Sequence, residues 1–289
     1  MVKKRIRWTA EKPTTLLKYE GLATVCEESR CPNRNECSAA GIATYMIGGD
    51  TCTRKCNFCH INTGKGPNLS LIKRQEQQQI LQSAKEQGLS YVVITSVARD
   101  DSEEDLAYHF AEITRELNHN QIEVELLIPD FHGRTELLDI IAEAKPLVLA
   151  QNIETISRLT RKVRPQAGHQ RTLDIFRYLA KAHPTIIKKS GFMVGLGESM
   201  AEIEELLHEL KDAGVQIVTV GQYLQPSADQ LPVESIYSDS QFKQIENMIE
   251  QLGFPGFEVG SFVRSSYMAS RTMDKVKKSV ANLNLKESI

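Results

Sequence analysis

The chain has little of what marks several broad classes of protein. No stretch approaches the roughly 20 apolar residues that a membrane-spanning helix requires. Its 37 acidic and 35 basic residues nearly balance, so a net charge of -2 gives no general attraction to nucleic acid or membranes. The basic N-terminal segment, MVKKRIRWTAEKPTT, lacks the apolar run of a secretory signal. We therefore expect a cytoplasmic protein with neither nucleic acid nor membrane as a partner.

Cysteine is absent from most of the chain. All six cysteines lie between Cys26 and Cys59, and none follows. A disulfide framework belongs to small secreted proteins and does not suit this chain. The remaining composition, 41% hydrophobic and 25% charged, is that of a globular protein with a substantial core. At 289 residues, one large domain is the default expectation.

Short runs of β-branched residues alternate with helix-forming segments along most of the chain. The runs predict strands near 42–49, 90–97, 121–131, 146–153, 185–195 and 215–226. This alternation is typical of right-handed βα units, which close a parallel sheet into a full or partial barrel. The sequence therefore predicts an α/β fold of about six strands. Polar and glycine residues follow each run, at the edge that holds the active site in parallel barrels.

Cys52, Cys56 and Cys59 form a compact set of thiols after the first predicted strand. Structural zinc usually takes two Cys-x2-Cys pairs, and only one such pair is present, although His60 could supply a fourth ligand. Three thiolates on one loop suit a 4Fe–4S cluster better, with one iron left open to another ligand. We favour the iron–sulfur interpretation and keep zinc as the alternative.

A second set of thiols, Cys26, Cys31 and Cys37, has a spacing unlike that of zinc fingers and unlike that of the first set. Three further cysteines indicate a second three-cysteine cluster. No cysteine remains for its fourth iron. That ligand must therefore come from elsewhere in the fold.

The loop that holds Cys52, Cys56 and Cys59, with Phe58 just before its last cysteine, resembles the cluster loop of radical S-adenosylmethionine (SAM) enzymes. Both triads in this order, with RSSY at 264–267, resemble the lipoyl synthases over about residues 20–270. Further segments that match this family are VCEESRCPN, GDTCTRKCNFC, YVVITSVARDD, VELLIPDF, VRPQAG, KSGFMVGLGE and GQYLQPS.

This resemblance implies a partial (β/α)6 radical SAM barrel with two 4Fe–4S clusters and SAM as cofactors. The implied activity is that of a sulfurtransferase in lipoate biosynthesis, which inserts sulfur at C6 and C8 of an octanoyl group. That group is amide-linked to a lysine of a carrier protein, either glycine-cleavage H protein or a 2-oxoacid dehydrogenase lipoyl domain. One SAM is consumed per carbon, and a low-potential electron donor is a further implied partner.

The resemblance also implies roles for individual residues. Cys52, Cys56 and Cys59 would hold the SAM-binding cluster. The ligands of the auxiliary, sulfur-donating cluster would be Cys26, Cys31, Cys37 and Ser266. The residues expected to contact SAM are Phe58, Thr95, Ser96, Asn152, Gly195, Gly197 and Glu198. The implied organisation is an N-terminal extension (1–41), the barrel (42–255) and a C-terminal tail (256–289).

The chain departs from the family pattern at several positions. Gln151 stands where histidine is usual, His60 where aspartate or alanine is common, and Ser261 where proline is usual. These departures leave room for a divergent paralogue with altered carrier preference. Two rival hypotheses are another sulfur-inserting radical SAM enzyme acting on tRNA or ribosomal protein, and a zinc-stabilised scaffold without catalysis.

Overall fold

The computed structural model describes the backbone of residues 43–286 and the side chains of residues 43–277. Cys26, Cys31 and Cys37, together with the predicted N-terminal extension, lie outside the described residues.

Strands and helices alternate along nearly all of the described chain, as the sequence predicts. In chain order the elements are β1 (Ala43–Ile47), β2 (Thr51–Cys52), β3 (Asn62–Thr63), α1 (Leu69–Glu86), β4 (Tyr91–Ser96), α2 (Glu103–His119), β5 (Glu123–Leu127), a 3-10 turn (Phe131–Gly133), α3 (Thr135–Ala142), β6 (Val148–Ala150), a second 3-10 turn (Ser157–Leu159), α4 (Thr160–Val163), α5 (His169–Ala182), β7 (Ile187–Val194), α6 (Met200–Asp212), β8 (Ile217–Gln222), α7 (Asp239–Gln251), β9 (Gly256–Gly260) and α8 (Ala269–Lys286).

Seven of these strands form one sheet in the order β1-β4-β5-β6-β7-β8-β9, and every neighbouring pair is parallel. Within the described residues β1 and β9 are the sheet edges and do not pair with each other, so the barrel is partial. All six predicted strands are confirmed. The seventh, β9, was not predicted, because GFEVG has no β-branched run. It falls within the predicted C-terminal tail and pairs with β8.

The outer faces of the strands pack against the helices in two adjoining cores. One core surrounds β4 and β5, with side chains such as Ile94, Phe110 and Leu126 fully buried. The other surrounds β7 and β8 and includes Val194 and Val220. Burial of these apolar faces supplies most of the driving force for folding. None of the described helices is both long and apolar enough to cross a bilayer.

Helix α8 packs on the inner side of the sheet instead of on its outer side. The residues in this interior contact are Tyr91, Val93, Val148, Ile217, Ala269, Met273 and Val276. Gly256 has no space for a side chain, since a Cβ there would lie 2.6 Å from Val276 Cγ2. Two ion pairs hold the helix: Lys277 Nζ lies 2.6 Å from Glu123, and Lys275 Nζ lies 3.1 Å from Glu258. The helix therefore fills the amino-edge part of the barrel interior.

Replacing Met273 tests this contact. Met273 is 1% exposed. We expect Met273→Ala to lower the free energy of unfolding by about 2–5 kcal/mol, through lost burial and the cavity left behind. The matched control is Arg271→Ala, on the exposed side of the same helix, which should change it by less than about 0.5 kcal/mol. Urea denaturation followed by circular dichroism gives both values. Equal effects of the two variants would show that α8 is not packed in the barrel.

Candidate functional site

Two of the three described cysteines, Cys56 and Cys59, lie on the loop between the short strands β2 and β3. Cys52 ends β2, and its carbonyl accepts the N–H of Gly64, just after β3, at 2.9 Å. Within the loop, the N–H of Cys59 donates to the carbonyl of Cys56 at 3.1 Å. This small pairing closes the loop at its base but provides few internal hydrogen bonds. Neighbouring segments therefore have to fix its position.

Arg54 ties the cysteine loop to the ends of β4 and β5. Its guanidinium lies 2.6 Å from Asp100 and 2.7 Å from Asp130, and Asp130 also pairs with Arg171 at 2.8 Å. Burial opposes the charged form of both aspartates, yet the Arg54 guanidinium outweighs it and lowers the pKa of each. Thr53 adds a backbone N–H bond to the carbonyl of Ala98 at 2.9 Å.

A second segment, residues 162–166, lies along the other side of the loop. The N–H of Asn57 donates to Val163 at 2.9 Å, and its side-chain amide donates to the carbonyl of Lys162 at 2.7 Å. The N–H of Lys55 donates to the Gln166 side chain at 2.7 Å. These contacts give a structural role to VRPQAG (163–168), for which the sequence analysis offered only a family match.

The chemistry of the thiols fits an iron–sulfur cluster. Cys52, Cys56 and Cys59 are free thiols, and burial raises the pKa of Cys56 to about 12 and that of Cys59 above its usual range. Such buried thiols are neutral until a metal displaces their protons.

Zinc fits less well. With Zn–S bonds near 2.3 Å, the sulfurs around one tetrahedral ion lie about 4 Å apart. Within residues 43–277, the one group with three potential ligand atoms mutually within 4.8 Å is Asp100, Glu103 and His132, and the cysteines do not form such a group. Their wider spacing suits a cluster whose irons bind one thiolate each.

Arg164 is a site residue that the sequence analysis missed. It is 8% exposed, and its Nη1 donates to the carbonyl of Asn152 at 2.6 Å. Burial raises the pKa of Glu154 and of Cys56, and the Arg164 charge acts against that rise in both groups. A cation therefore lies between the cysteine loop and the end of β6. The signal in the sequence that could have identified Arg164 was its place in VRPQAG, a segment that matches the family.

Three of the predicted SAM contacts lie at the carboxyl ends of β4 and β6, as expected. The side-chain oxygens of Ser96 and Asn152 are buried without a hydrogen-bond partner, whereas Thr95 donates to the carbonyl of Leu127 at 2.8 Å. Gly191 leaves room for Asn152, since a Cβ there would lie 3.0 Å from its Oδ1. Unpaired buried polar atoms are costly without a ligand, so this region fits a polar cofactor such as SAM.

The loop after β7 places Glu198 against its own backbone. The carboxylate accepts the N–H groups of Gly195 at 2.5 Å and Leu196 at 2.9 Å. Gly195 and Gly197 both have positive φ, and a Cβ on Gly195 would meet the side chain of Gln222. These glycines build a tight turn. SAM contact by Gly195, Gly197 and Glu198 stays a prediction.

Phe58, Gln151 and His60 differ in how far they are buried; the last two depart from the family pattern. Phe58 is partly buried and packs against the core around β7 and β8, next to Cys59 in the chain. Gln151 is 1% exposed, and neither atom of its amide has a partner. His60 is exposed at the end of the cysteine loop.

Ser266 lies in the turn between β9 and α8, where it is partly buried. The preceding Arg264 donates to the carbonyls of Val263 at 2.6 Å and Gln222 at 3.3 Å. RSSY is therefore held against the end of β8, at the same edge of the sheet as the cysteine loop. The cysteines predicted to share a cluster with Ser266 lie outside the described residues, so that ligand set stays a prediction.

A charged pair lies deeper in the barrel. Lys189 Nζ is 2.7 Å from Glu125, and both side chains are 2% exposed. The Tyr91 hydroxyl donates to the other oxygen of Glu125 at 2.7 Å, and burial followed by this carboxylate raises the pKa of Tyr91. Lys189 is thus paired within the protein.

The fold and the cysteine loop are those of a radical SAM enzyme. The Radical SAM superfamily profile matches residues 46–210. SuiB of Streptococcus suis, solved with bound S-adenosylmethionine, superposes with a TM-score of 0.58 at 15% identity, over 75% of this chain and 49% of that one. The maturase HydG of Carboxydothermus hydrogenoformans gives 0.58 at 16% identity, over 75% and 52%. The chain thus spans about half of each neighbour, and these likenesses show the fold alone.

Similarity to curated proteins is more specific. Lipoyl synthase of Picrophilus torridus is 43% identical over 270 residues, 93% of this chain and 92% of that protein. Lipoyl synthases of Myxococcus xanthus and Neisseria meningitidis serogroup C are 44% and 42% identical, over 90% and 88% of this chain and 87% and 79% of their own lengths. The chain belongs to the lipoyl synthase family.

Removing the Arg54 charge tests how the cysteine loop is held. We expect Arg54→Met to cost about 3–5 kcal/mol of stability, because Asp100 and Asp130 lose a buried partner. The control Arg134→Met removes an exposed arginine whose ion pair is screened by solvent, and it should leave stability nearly unchanged. Unfolding free energies measured in urea give both values, and equal losses in the two variants would show that Arg54 does not hold the cysteine loop.

The two aspartates also set a pH dependence. Since their folded pKa values are lowered, their contribution is full above the unfolded value of about 4 and is lost as pH falls through the folded values. In Arg54→Met the loss should begin at higher pH, because burial raises both pKa values and then meets less opposition. Only Arg171 still lowers the pKa of Asp130, and only Thr53 and His132 still lower that of Asp100. Unfolding free energies measured from about pH 6 to about pH 3 would distinguish the native chain from Arg54→Met.

The deeper pair is tested by one single and one double replacement. Lys189→Met leaves the buried Glu125 carboxylate without its cation, and we expect a loss of about 3–5 kcal/mol. Lys189→Met with Glu125→Gln removes both charges and should recover most of that loss, as seen by urea denaturation. Failure of the double variant to recover any stability would show that the two residues do not act as a pair.

Proposed function

We propose that Cys52, Cys56 and Cys59 hold the SAM-binding 4Fe–4S cluster for the reaction of the lipoyl synthase family. That reaction replaces one hydrogen at C6 and one at C8 of an octanoyl group with sulfur, on a lipoyl carrier protein. The observation that carries the proposal is the position of the cysteine loop. Its partly buried thiols lie at the carboxyl edge of the barrel. Arg164 connects them to the end of β6, because its charge acts on Cys56 and its Nη1 donates to the carbonyl of Asn152, whose side-chain oxygen is unpaired.

The octanoyl C–H bonds are not acidic, so no side-chain base could remove a proton from them. The cluster and SAM supply the radical that such bonds require. The residues of this chain bind and orient the cofactors and keep out water. Arg54 fixes the cysteine loop, Arg164 places a positive charge beside Cys56, and Asn152 offers a buried acceptor to SAM.

The predicted organisation and the auxiliary cluster extend this proposal. Cys26, Cys31 and Cys37 in the N-terminal extension and Ser266 in the C-terminal tail would bind the cluster that donates sulfur. The position of RSSY against the end of β8 supports this, because it puts Ser266 at the edge where the cysteine loop lies. A hydroxyl ligand binds iron less well than a thiolate, which suits an iron that must leave when sulfide is used.

The partners follow from the reaction. The carrier is either glycine-cleavage H protein or a 2-oxoacid dehydrogenase lipoyl domain, and a low-potential donor supplies electrons. A cytoplasmic location suits the oxygen-sensitive clusters and the reduced cysteines.

Counting iron tests the two-cluster proposal. After anaerobic purification and reconstitution, we expect about eight irons per chain. Replacing Cys26, Cys31 and Cys37 together with alanine should leave about four irons, with SAM cleavage retained and lipoyl product lost. The matched triple replacement of Cys52, Cys56 and Cys59 should also leave about four irons but abolish SAM cleavage.

A different count would refute the proposal. About four irons in the native chain, unchanged when Cys26, Cys31 and Cys37 are replaced, would mean that these cysteines bind no cluster. Retained zinc and a colourless protein would instead support the scaffold hypothesis.

A further inference from the structure

One side of the cysteine loop faces solvent. Lys55 and Asn57 are exposed, whereas Arg54 is 6% exposed beneath Asp100 and Asp130. The opposite direction, toward Asn152, leads into the proposed SAM site. Lys55 and Asn57 are the chain neighbours of Cys56, so a reductant that docks on this exposed side approaches the cysteine loop directly.

The segment beside this surface is basic. Asn57 bonds to the backbone of residues 162 and 163, which brings helix α4 against the loop. Arg161 and Lys162 of that helix are exposed, as is Lys55. We call these three residues, Lys55, Arg161 and Lys162, the α4 face.

The acidic groups near the α4 face offset only part of its charge. Lys162 Nζ lies 3.3 Å from Glu234, but both side chains are about half exposed, and such surface pairs contribute little. Asp229 is exposed on the segment whose Leu231 N–H donates to the carbonyl of Asn57. Lys55 and Arg161 remain as exposed cations beside the cysteine loop.

We propose that the α4 face is the docking surface for an acidic one-electron redox protein of the ferredoxin type. The donor would give up one electron, and the cluster that Cys52, Cys56 and Cys59 would hold would accept it. Complementary charge would orient the donor and speed its encounter more than it would tighten the complex. The inference rests on the proposed function, because that function requires the cluster.

Charge reversal on α4 tests the surface with the complete, cluster-loaded chain. The probe is a reduced plant-type [2Fe–2S] ferredoxin, which is strongly acidic. We expect Arg161→Glu with Lys162→Glu to slow ferredoxin-driven SAM cleavage about 10-fold at low ionic strength. Cleavage driven by dithionite should be unchanged, because only the side-chain charges of α4 differ. Added salt should slow the native chain toward the rate of the variant.

The matched control reverses two charges on α5, near its end at the amino edge of the sheet. Arg177→Glu with Lys181→Glu makes the same change in net charge on exposed residues, and ferredoxin-driven cleavage should stay within about 2-fold of the native rate. Equal slowing by both double variants would overturn the proposal, since net charge alone would then explain the effect.

Two further measurements separate this inference from the proposed function. Direct binding of oxidised ferredoxin by calorimetry should weaken about 10-fold in the α4 variant and not in the control, whether or not the chain cleaves SAM. If the native chain did not cleave SAM with dithionite, the proposed function would be refuted. The docking surface would then be tested by the calorimetric binding of ferredoxin alone. A raised KM for the octanoylated carrier, with ferredoxin binding unchanged, would assign the α4 face to the carrier and overturn the inference.

Discussion

The buried guanidinium of Arg54 joins three separate parts of the fold. It comes from the cysteine loop and bonds Asp100, after β4, and Asp130, after β5. Burial alone would disfavour its charge, but the two carboxylates outweigh this and raise its pKa above the usual range. A buried cation of this kind is stable only while both anions are in place. The geometry of the cysteine loop therefore depends on the ends of β4 and β5. Through the same contacts, Arg54 keeps these two strand ends at a fixed separation.

The barrel interior changes chemistry from one end to the other. Apolar side chains of α8 fill the amino-edge part, and the Lys189–Glu125 pair lies on interior positions of the strands. Toward the carboxyl edge, Asn152 and Ser96 carry unpaired oxygens. Polar groups without partners thus concentrate where a cofactor would satisfy them. The apolar end closes the barrel interior at the edge opposite the proposed cofactor site.

Much of this architecture could be predicted, and the exceptions have physical explanations. Six strands were found because runs rich in β-branched residues mark them locally. β9 escaped because its sequence is glycine-rich and pairing with β8 stabilises it. The apolar stripe of α8 is the same as that of a helix on the outside of a sheet, so its place inside the barrel could not be predicted. The sequence also did not indicate that the turn after β7 would place two backbone N–H groups within reach of Glu198, whose contact with SAM stays a prediction.

The sequence by itself determined the class of chemistry and the class of fold. Thiol spacing limits which metal centre a loop can hold, and strand and helix periodicity are local properties of the chain. Only the tertiary structure decided that Arg54 and Arg164 belong to the site, that one side of the cysteine loop is buried, and that α4 brings basic residues beside the other. Burial, pKa and surface charge all depend on atoms that come together only after folding. Residue 54 and its partners at 100 and 130 are remote in the sequence, and no local pattern in the chain connects them.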